Sequence, residues 1–270
     1  MSLKVSVITP SFNQGRYIED CIQSVQTQTY QNIQHIVIDN LSSDCTLEIL
    51  KKYETAYNLI WIAEQDSGQA QAINKGLDIA SGDIVCWLNT DDYFFDKTII
   101  ERIVRVFDEN PSLGVIFGDG YMVDACGGII RPFILKPERL NQASMRLADY
   151  VFQPSCFWKR NDLRLDEGYH YVFDWLFFYQ MFEKGFTHYY LHGFLSCYRM
   201  YGENKTSLDS YKRKLEIYQL EKDLLGAWHP ITIWFYAVSL LYLSSERYNI
   251  PFLKKLVKRV TRVLRIVTGL

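Results

Sequence analysis

This sequence has few of the features that mark unusual proteins. Its 6 cysteines (Cys21, Cys45, Cys86, Cys126, Cys156 and Cys197) form no CxxC pair and sit near no histidine in a zinc pattern. That excludes a disulfide scaffold and a zinc finger, and fits scattered reduced thiols in a cytosolic protein. The 7 prolines and 15 glycines are too few for a long flexible linker or a fibrous repeat. The longest apolar run, residues 230–243, falls short of the ~20 residues of a membrane-spanning helix. Neither charge sign dominates, with 29 Lys and Arg against 31 Asp and Glu, which excludes a general nucleic-acid binder. No GxGxxG follows the first strand, so a dinucleotide-binding dehydrogenase is disfavoured. The opening MSLKVSVITP has no apolar stretch long enough for a secretory leader.

What is present can build a core. Of 270 residues, 48% are hydrophobic and 15% aromatic. The charge is unevenly placed. Residues 251–270 hold six basic side chains (Lys254, Lys255, Lys258, Arg259, Arg262 and Arg265) and no acidic one, leaving 23 basic against 31 acidic in residues 1–250. Leu253, Leu256, Val257, Val260, Val263, Leu264 and Val267 share one face of a helix there, with the bases on the other. This pattern predicts a helix lying in an anionic membrane interface, and so a peripheral protein at the cytoplasmic face of the cell membrane.

The first half alternates between two periods. Strand-like runs at 4–10, 32–39, 59–63, 84–88 and 113–117 are separated by helical spacing at 17–28, 44–57, 68–80 and 96–109. That order predicts an α/β fold, a mainly parallel sheet with helices on both faces. The second half is less regular. Short strands are expected at 121–124, 129–133, 155–159, 188–191 and 194–199, with a helical turn near 140–147 and helices at 172–184 and 207–225. The expected division is one domain over 1–206, with a nucleotide half at 1–118 and an acceptor half at 119–206, and a helical extension over 207–270.

Polar residues collect just past the strand ends: Ser11-Phe12-Asn13, Asp39-Asn40, Glu64 with Asp66, and Asn89 to Asp92. Ligands of open α/β sheets bind outside the carboxyl ends of the strands, so these clusters predict one crevice. Asp91 and Asp92 are adjacent carboxylates between apolar flanks, a pair that calls for a cation. Oxygen ligation with few protein ligands suits Mg²⁺ or Mn²⁺ bridged to substrate phosphates; a helix cap in a solvated turn is the alternative.

Four segments in order (Val7 to Asn13, Asp39 to Thr46, Glu64 to Gly68 leading to Asn74-Lys75-Gly76, and Gly82-Asp83 leading to Asn89-Thr90-Asp91-Asp92) resemble those of a family 2 glycosyltransferase with the GT-A fold. The resemblance covers about residues 3–206 and implies a nucleotide-sugar donor, a divalent metal and inversion at the anomeric carbon. By the same resemblance, Thr9, Phe12 and Asn13 line the nucleoside pocket and Asp39 accepts a hydrogen bond from the base. Asp66 and Asn74 lie near the nucleotide or diphosphate, and Asp91, with Asp92 beside it, binds the metal.

The sequence departs from the family at three sites, the first being Asn40-Leu41 in place of the usual Gly-Ser after Asp39. Asn89 holds the first position of the DxD element, where it adds no charge, and Tyr201 stands where a histidine often follows the late arginine, here Arg199. Arg199 and Lys205 remain as candidate phosphate contacts.

The base implied by the resemblance is Asp174. It lies in Tyr171 to Phe178, a run with no other charge, where a carboxylate is costly unless paired or functional. Asp166 and Glu167 are rivals in more polar surroundings. Trp158 and Trp175 are candidate sugar platforms, with core packing as the plainer role of each. The expected function is transfer of a sugar, most readily from a UDP-sugar, to a hydroxyl of a glycan or lipid-linked acceptor in cell-surface polysaccharide synthesis. The alternatives are a nucleotidyltransferase of nucleotide-sugar synthesis and a catalytically inactive nucleotide-sugar binder.

Overall fold

A computed structural model of the chain describes residues 2–202, 204, 210–230, 232–234 and 237. In chain order the first half runs β1 (Val5–Ser11), α1 (Ile18–Gln26), β2 (Ile33–Asp39), α2 (Thr46–Tyr53), β3 (Leu59–Ala63), α3 (Gln69–Ile79), β4 (Ile84–Trp87), β5 (Tyr93–Phe94) and α4 (Ile99–Glu109). The second half adds β6 (Val115–Val123), β7 (Ile129–Phe133), α5 (Gln142–Met145), β8 (Cys156–Lys159), α6 (Phe173–Glu183), β9 (His188–Arg199) and α7 (Ser210–Leu225).

The strands form one mixed sheet in the order β3-β2-β1-β4-β8-β6-β9-β5, with β7 pairing the far end of β6. The β3-β2-β1-β4 stretch is parallel throughout. β8 then runs antiparallel to both β4 and β6, while β6 and β9 are parallel to each other. Every residue of β1, β2 and β4 is buried, as expected of parallel strands covered on both faces.

Alternation along the strands splits the core between the two faces. Ile8, Ile36, Ile38, Val85 and Trp87 meet Ala72, Ile73 and Leu77 of α3 and the aromatic α6. Val5, Val7, Cys86 and Leu88 face the other way, toward Cys21 and Val25 of α1 and Ile99, Ile100, Ile103 and Phe107 of α4. Gly76 lets α3 lie close on β1, since a Cβ there would sit 2.4 Å from Cγ2 of Ile8.

The second half differs from expectation in three places. Residues 115–123 form a single strand, because Gly118 and Gly120 give room for the Leu195 side chain and the Phe152 ring rather than forming a turn. Residues 188–199 also form one strand, with its register against β6 shifted where Gly193 takes φ +121°. The two-residue β5 pairs with Cys197 and Ser196 where no strand was expected.

The helix placed in the extension docks on the acceptor half. Leu220 of α7 is buried in the α6 core, and the Glu216 carboxylate accepts the backbone N–H groups of His170 (2.9 Å) and Tyr171 (2.6 Å). The amphipathic segment 251–270 and Lys205 lie outside the described residues. Among the described residues, no helix is long and apolar enough to cross a membrane. All six thiols are free, with Cys45 and Cys126 exposed.

Candidate active site

A cavity of about 760 Å³ opens at the carboxyl ends of β1 and β4 and is closed on its far side by residues leading into and beginning α6. Phe12, Asn40, Asp66, Gly68, Asn89 and Asp91 line it, together with Asp149, Gln153, His170, Asp174, Tyr201 and Arg213. Phe12 stands 55% exposed at the lip, where a flat aromatic surface can meet a base.

Several expected contacts lie off the cavity lining, with Thr9, Asp39 and Asn74 buried and Asn13 exposed. Thr9 points into the face packed by α1; its hydroxyl bonds the His35 ring at 2.9 Å and meets the Cys21 thiol. Burial lowers the His35 pKa to about 3, so that ring is neutral. Asp39 is fully buried and accepts both the N–H and the hydroxyl of Ser42, each at 2.7 Å, which fixes the turn after β2. Asn13, in the left-handed region at φ +50°, accepts the Ser43 N–H and donates its own N–H to the Ser42 hydroxyl. Leu41, in the same turn, also takes a positive φ of +53°. Asn74 grips the loop before α6 through both backbone groups of Leu165 and through Glu167. These four residues do not line the cavity.

Asp66 does line it. Its carboxylate accepts the Gly68 N–H at 2.9 Å at the entry to α3, and burial raises its pKa. Asn40 reaches across to accept the Asp66 N–H, tying the ends of β2 and β3 together.

The adjacent acids divide their work. Asp91 faces the cavity, and its Oδ2 accepts the Tyr201 hydroxyl at 2.8 Å. Asp92 is fully buried and turned away; its oxygens accept the Arg199 N–H (3.1 Å) and the Asn89 amide (3.1 Å). Desolvation raises both pKa values, and for Asp92 the Asp91 charge adds to it. Asp92 is thus a prop for the loop, not a ligand facing the cleft, because its two oxygens are occupied inside the fold. Arg199 is also structural: its guanidinium bonds the Asp91 carbonyl, the Ala125 carbonyl and Asp20, over the rings of Tyr17 and Tyr93.

Asn89 explains its own departure from an acid. Its oxygen accepts from Gln69, while its NH₂ donates to Asp92 and to Gln153. A carboxylate has no hydrogen to give to those two acceptors. Gln153 in turn donates to the Trp87 carbonyl, joining the second half of the chain to the end of β4.

The protein's own donors for a metal are sparse. Among the described residues no group of three or more His, Cys, Asp or Glu side chains is placed to hold an ion. A single cavity-facing carboxylate on a desolvated loop fits Mg²⁺ or Mn²⁺, which keep waters and take most other ligands from substrate phosphates.

Asp174 sits in the first turn of α6 and lines the same cavity as Asp91, its carboxylate accepting the Trp175 N–H at 2.8 Å. Trp158 and Trp175 are core residues: Trp158 packs edge-on against Trp87, and the Trp175 N–H bonds the Met145 carbonyl. Sequence reasoning missed Asp149, Arg213 and Gln69. None of them lies in a motif, and only the loop before β8 and the docking of α7 bring the first two to the cavity.

The family model for Glycosyl transferase family 2 matches residues 6–205. TuaG of Bacillus subtilis (strain 168), whose name places it in teichuronic acid biosynthesis, is 43% identical over 139 residues, which cover 50% of this chain and 54% of TuaG. Glycosyltransferase GlyG of Streptococcus pneumoniae is 32% identical over 130 residues, covering 47% of this chain and 42% of GlyG. The chain therefore spans about half the length of these curated relatives. Among solved structures, the mannosyltransferase PcManGT of Pyrobaculum calidifontis, in complex with GDP-Man and Mn²⁺, superposes with a TM-score of 0.65 at 14% identity, covering 98% of this chain and 81% of that one. Residues 1–349 of S. aureus TarS, in complex with UDP-GlcNAc, give a TM-score of 0.63 at 22% identity, covering 83% and 69%. With a family match over most of its length and this sheet order, the chain belongs to glycosyltransferase family 2 and has the GT-A fold.

Proposed function

We propose that this protein is an inverting, metal-assisted glycosyltransferase. It moves a sugar from a nucleotide-sugar donor, a UDP-sugar, to a hydroxyl of a glycan or lipid-linked acceptor in cell-surface polysaccharide synthesis. One observation carries the reading: a single cavity is lined both by Asp91, past the end of β4, and by Asp174, at the start of α6. The name of TuaG supports the cell-surface setting.

In this reading Phe12 and Asp66 hold the nucleoside end of the donor, and Asn89 and Asp91 hold the diphosphate end. A Mn²⁺ or Mg²⁺ ion at Asp91, when bound, supplies Lewis-acid stabilisation of the leaving diphosphate. Asp174 accepts the acceptor hydroxyl proton as that oxygen bonds to the sugar C1. The C1–O bond to the diphosphate breaks on the opposite face and its electron pair leaves with the nucleoside diphosphate, so the anomeric centre inverts. Residues 251–270 hold the protein at an anionic membrane surface.

The test is a thermal-shift screen of UDP-, GDP- and dTDP-sugars with and without Mn²⁺. Ligands that bind the folded state raise the midpoint by mass action. The expected result is a Mn²⁺-dependent shift that is largest for a UDP-sugar. No shift with any nucleotide sugar contradicts the proposal.

A further inference from the structure

The base end of the cavity holds three charged side chains from three separate elements. Asp149 comes from the loop between α5 and β8, Asp174 from α6 and Arg213 from α7. The Asp149 side chain is open to the cavity, and one of its oxygens accepts the Val151 N–H at 2.9 Å, which fixes its direction. Four residues on, Gln153 is joined to Asn89 and to the Trp87 carbonyl. One short loop thus touches the donor end with Gln153 and the base end with Asp149. Arg213 is carried by a helix whose Glu216 clamps the turn leading into α6.

We propose that Asp149 positions the acceptor: its side chain hydrogen-bonds a sugar hydroxyl next to the one that Asp174 deprotonates, with Arg213 closing the same end of the cavity. This rests on the reading of Asp174 as the base.

The electrostatics of the three groups support it. Desolvation, and then the Asp174 charge, push the Asp149 carboxyl up to about 8, against the opposing pull of the Val151 N–H and Arg213. Burial, and after it the Asp149 charge, push the Cys156 thiol of β8 well up, so it stays neutral. Two close carboxyls in one cavity favour a state in which only one is ionised. A protonated Asp149 offers one donor and one acceptor, the pair that neighbouring sugar hydroxyls match. In the reaction the proton on Asp149 stays in place; only the attacking hydroxyl loses its proton, to Asp174.

The test uses the full chain, the nucleotide sugar giving the largest thermal shift, and methyl glycosides of glucose, galactose, mannose and N-acetylglucosamine as acceptor probes. Nucleoside diphosphate release is followed from about pH 6 to pH 10 for the wild type, Asp149→Ala, Asp149→Asn and Asp174→Asn. Asp149→Ala is expected to keep the donor shift, while its kcat/KM for the glycoside falls roughly tenfold or more through KM, the loss of one good hydrogen bond. Asp149→Asn, a permanently neutral donor, is expected to keep the stimulation and lose the alkaline decline the wild type shows near pH 8. An unchanged glycoside KM in Asp149→Ala overturns the proposal. So does an alkaline decline that persists in Asp149→Asn, or a wild type that no glycoside stimulates. Asp174→Asn separates the two readings: full release by that variant removes the base assignment whatever Asp149 does. A wild type shifted by no nucleotide sugar removes both.

Discussion

The amide of Asn89 is the residue on which the donor end turns. It accepts from Gln69 and donates to Asp92 and Gln153, so three side chains depend on its having both a lone pair and hydrogens. Asn89→Asp is therefore expected to destabilise the fold by roughly 1–3 kcal/mol, the cost of leaving buried acceptors unpaired. The new carboxylate would stand against Asp92 and have a raised pKa in the fold. The loss should then grow as pH rises above the ordinary carboxylate value near 4. Thermal denaturation at pH 5 and pH 8 checks this; equal losses at both contradict it. The position of Asn89 was legible from its place after a strand, but its partners were not, because Gln153 lies 64 residues away. Thr9, Asp39 and Asn74 show the converse. Their residue types fitted a ligand site, yet which way each side chain points depends on strand register and on neighbours such as Ser42 and Leu165.

At the scale of elements, periodicity placed the strands and helices of the first half, since buried parallel strands and amphipathic helices carry distinct patterns. It failed at β6 and β9, where glycines that read as turns serve to let side chains cross the strand. Helix α7 was expected as part of an extension, but its burial could not be read from its mixed charge. It hides Glu221 completely, with both carboxylate oxygens lacking a hydrogen-bond partner among the described residues, and burial pushes that group up to about 9. Below the usual glutamate value both folded and unfolded states hold the proton. Between there and about 9 only the folded state holds it, so stability falls as pH rises across that window. Glu221→Gln is expected to match the wild type near pH 5 and to melt at a higher temperature near pH 9. Parallel melting profiles of the two proteins across that range contradict the account.

For the whole molecule, we propose that an acidic body carries catalysis and a basic tail carries attachment. The six bases of 251–270 stand apart from a body with 31 acids and 23 bases. Deleting 251–270 is expected to release the protein from vesicles containing anionic lipid, with each base near the surface worth about 1 kcal/mol. Undiminished sedimentation with the vesicles contradicts the interfacial helix. Catalysis depends on the body, where the account places a donor held at Asp91 and a base at Asp174. The most direct measurement compares wild type and Asp174→Asn with the same nucleotide sugar, recording both thermal shift and release of nucleoside diphosphate. The account predicts an unchanged shift with release reduced roughly 10²–10⁴-fold, the contribution of a positioned general base. Release at the wild-type rate, or loss of donor binding along with turnover, would contradict it.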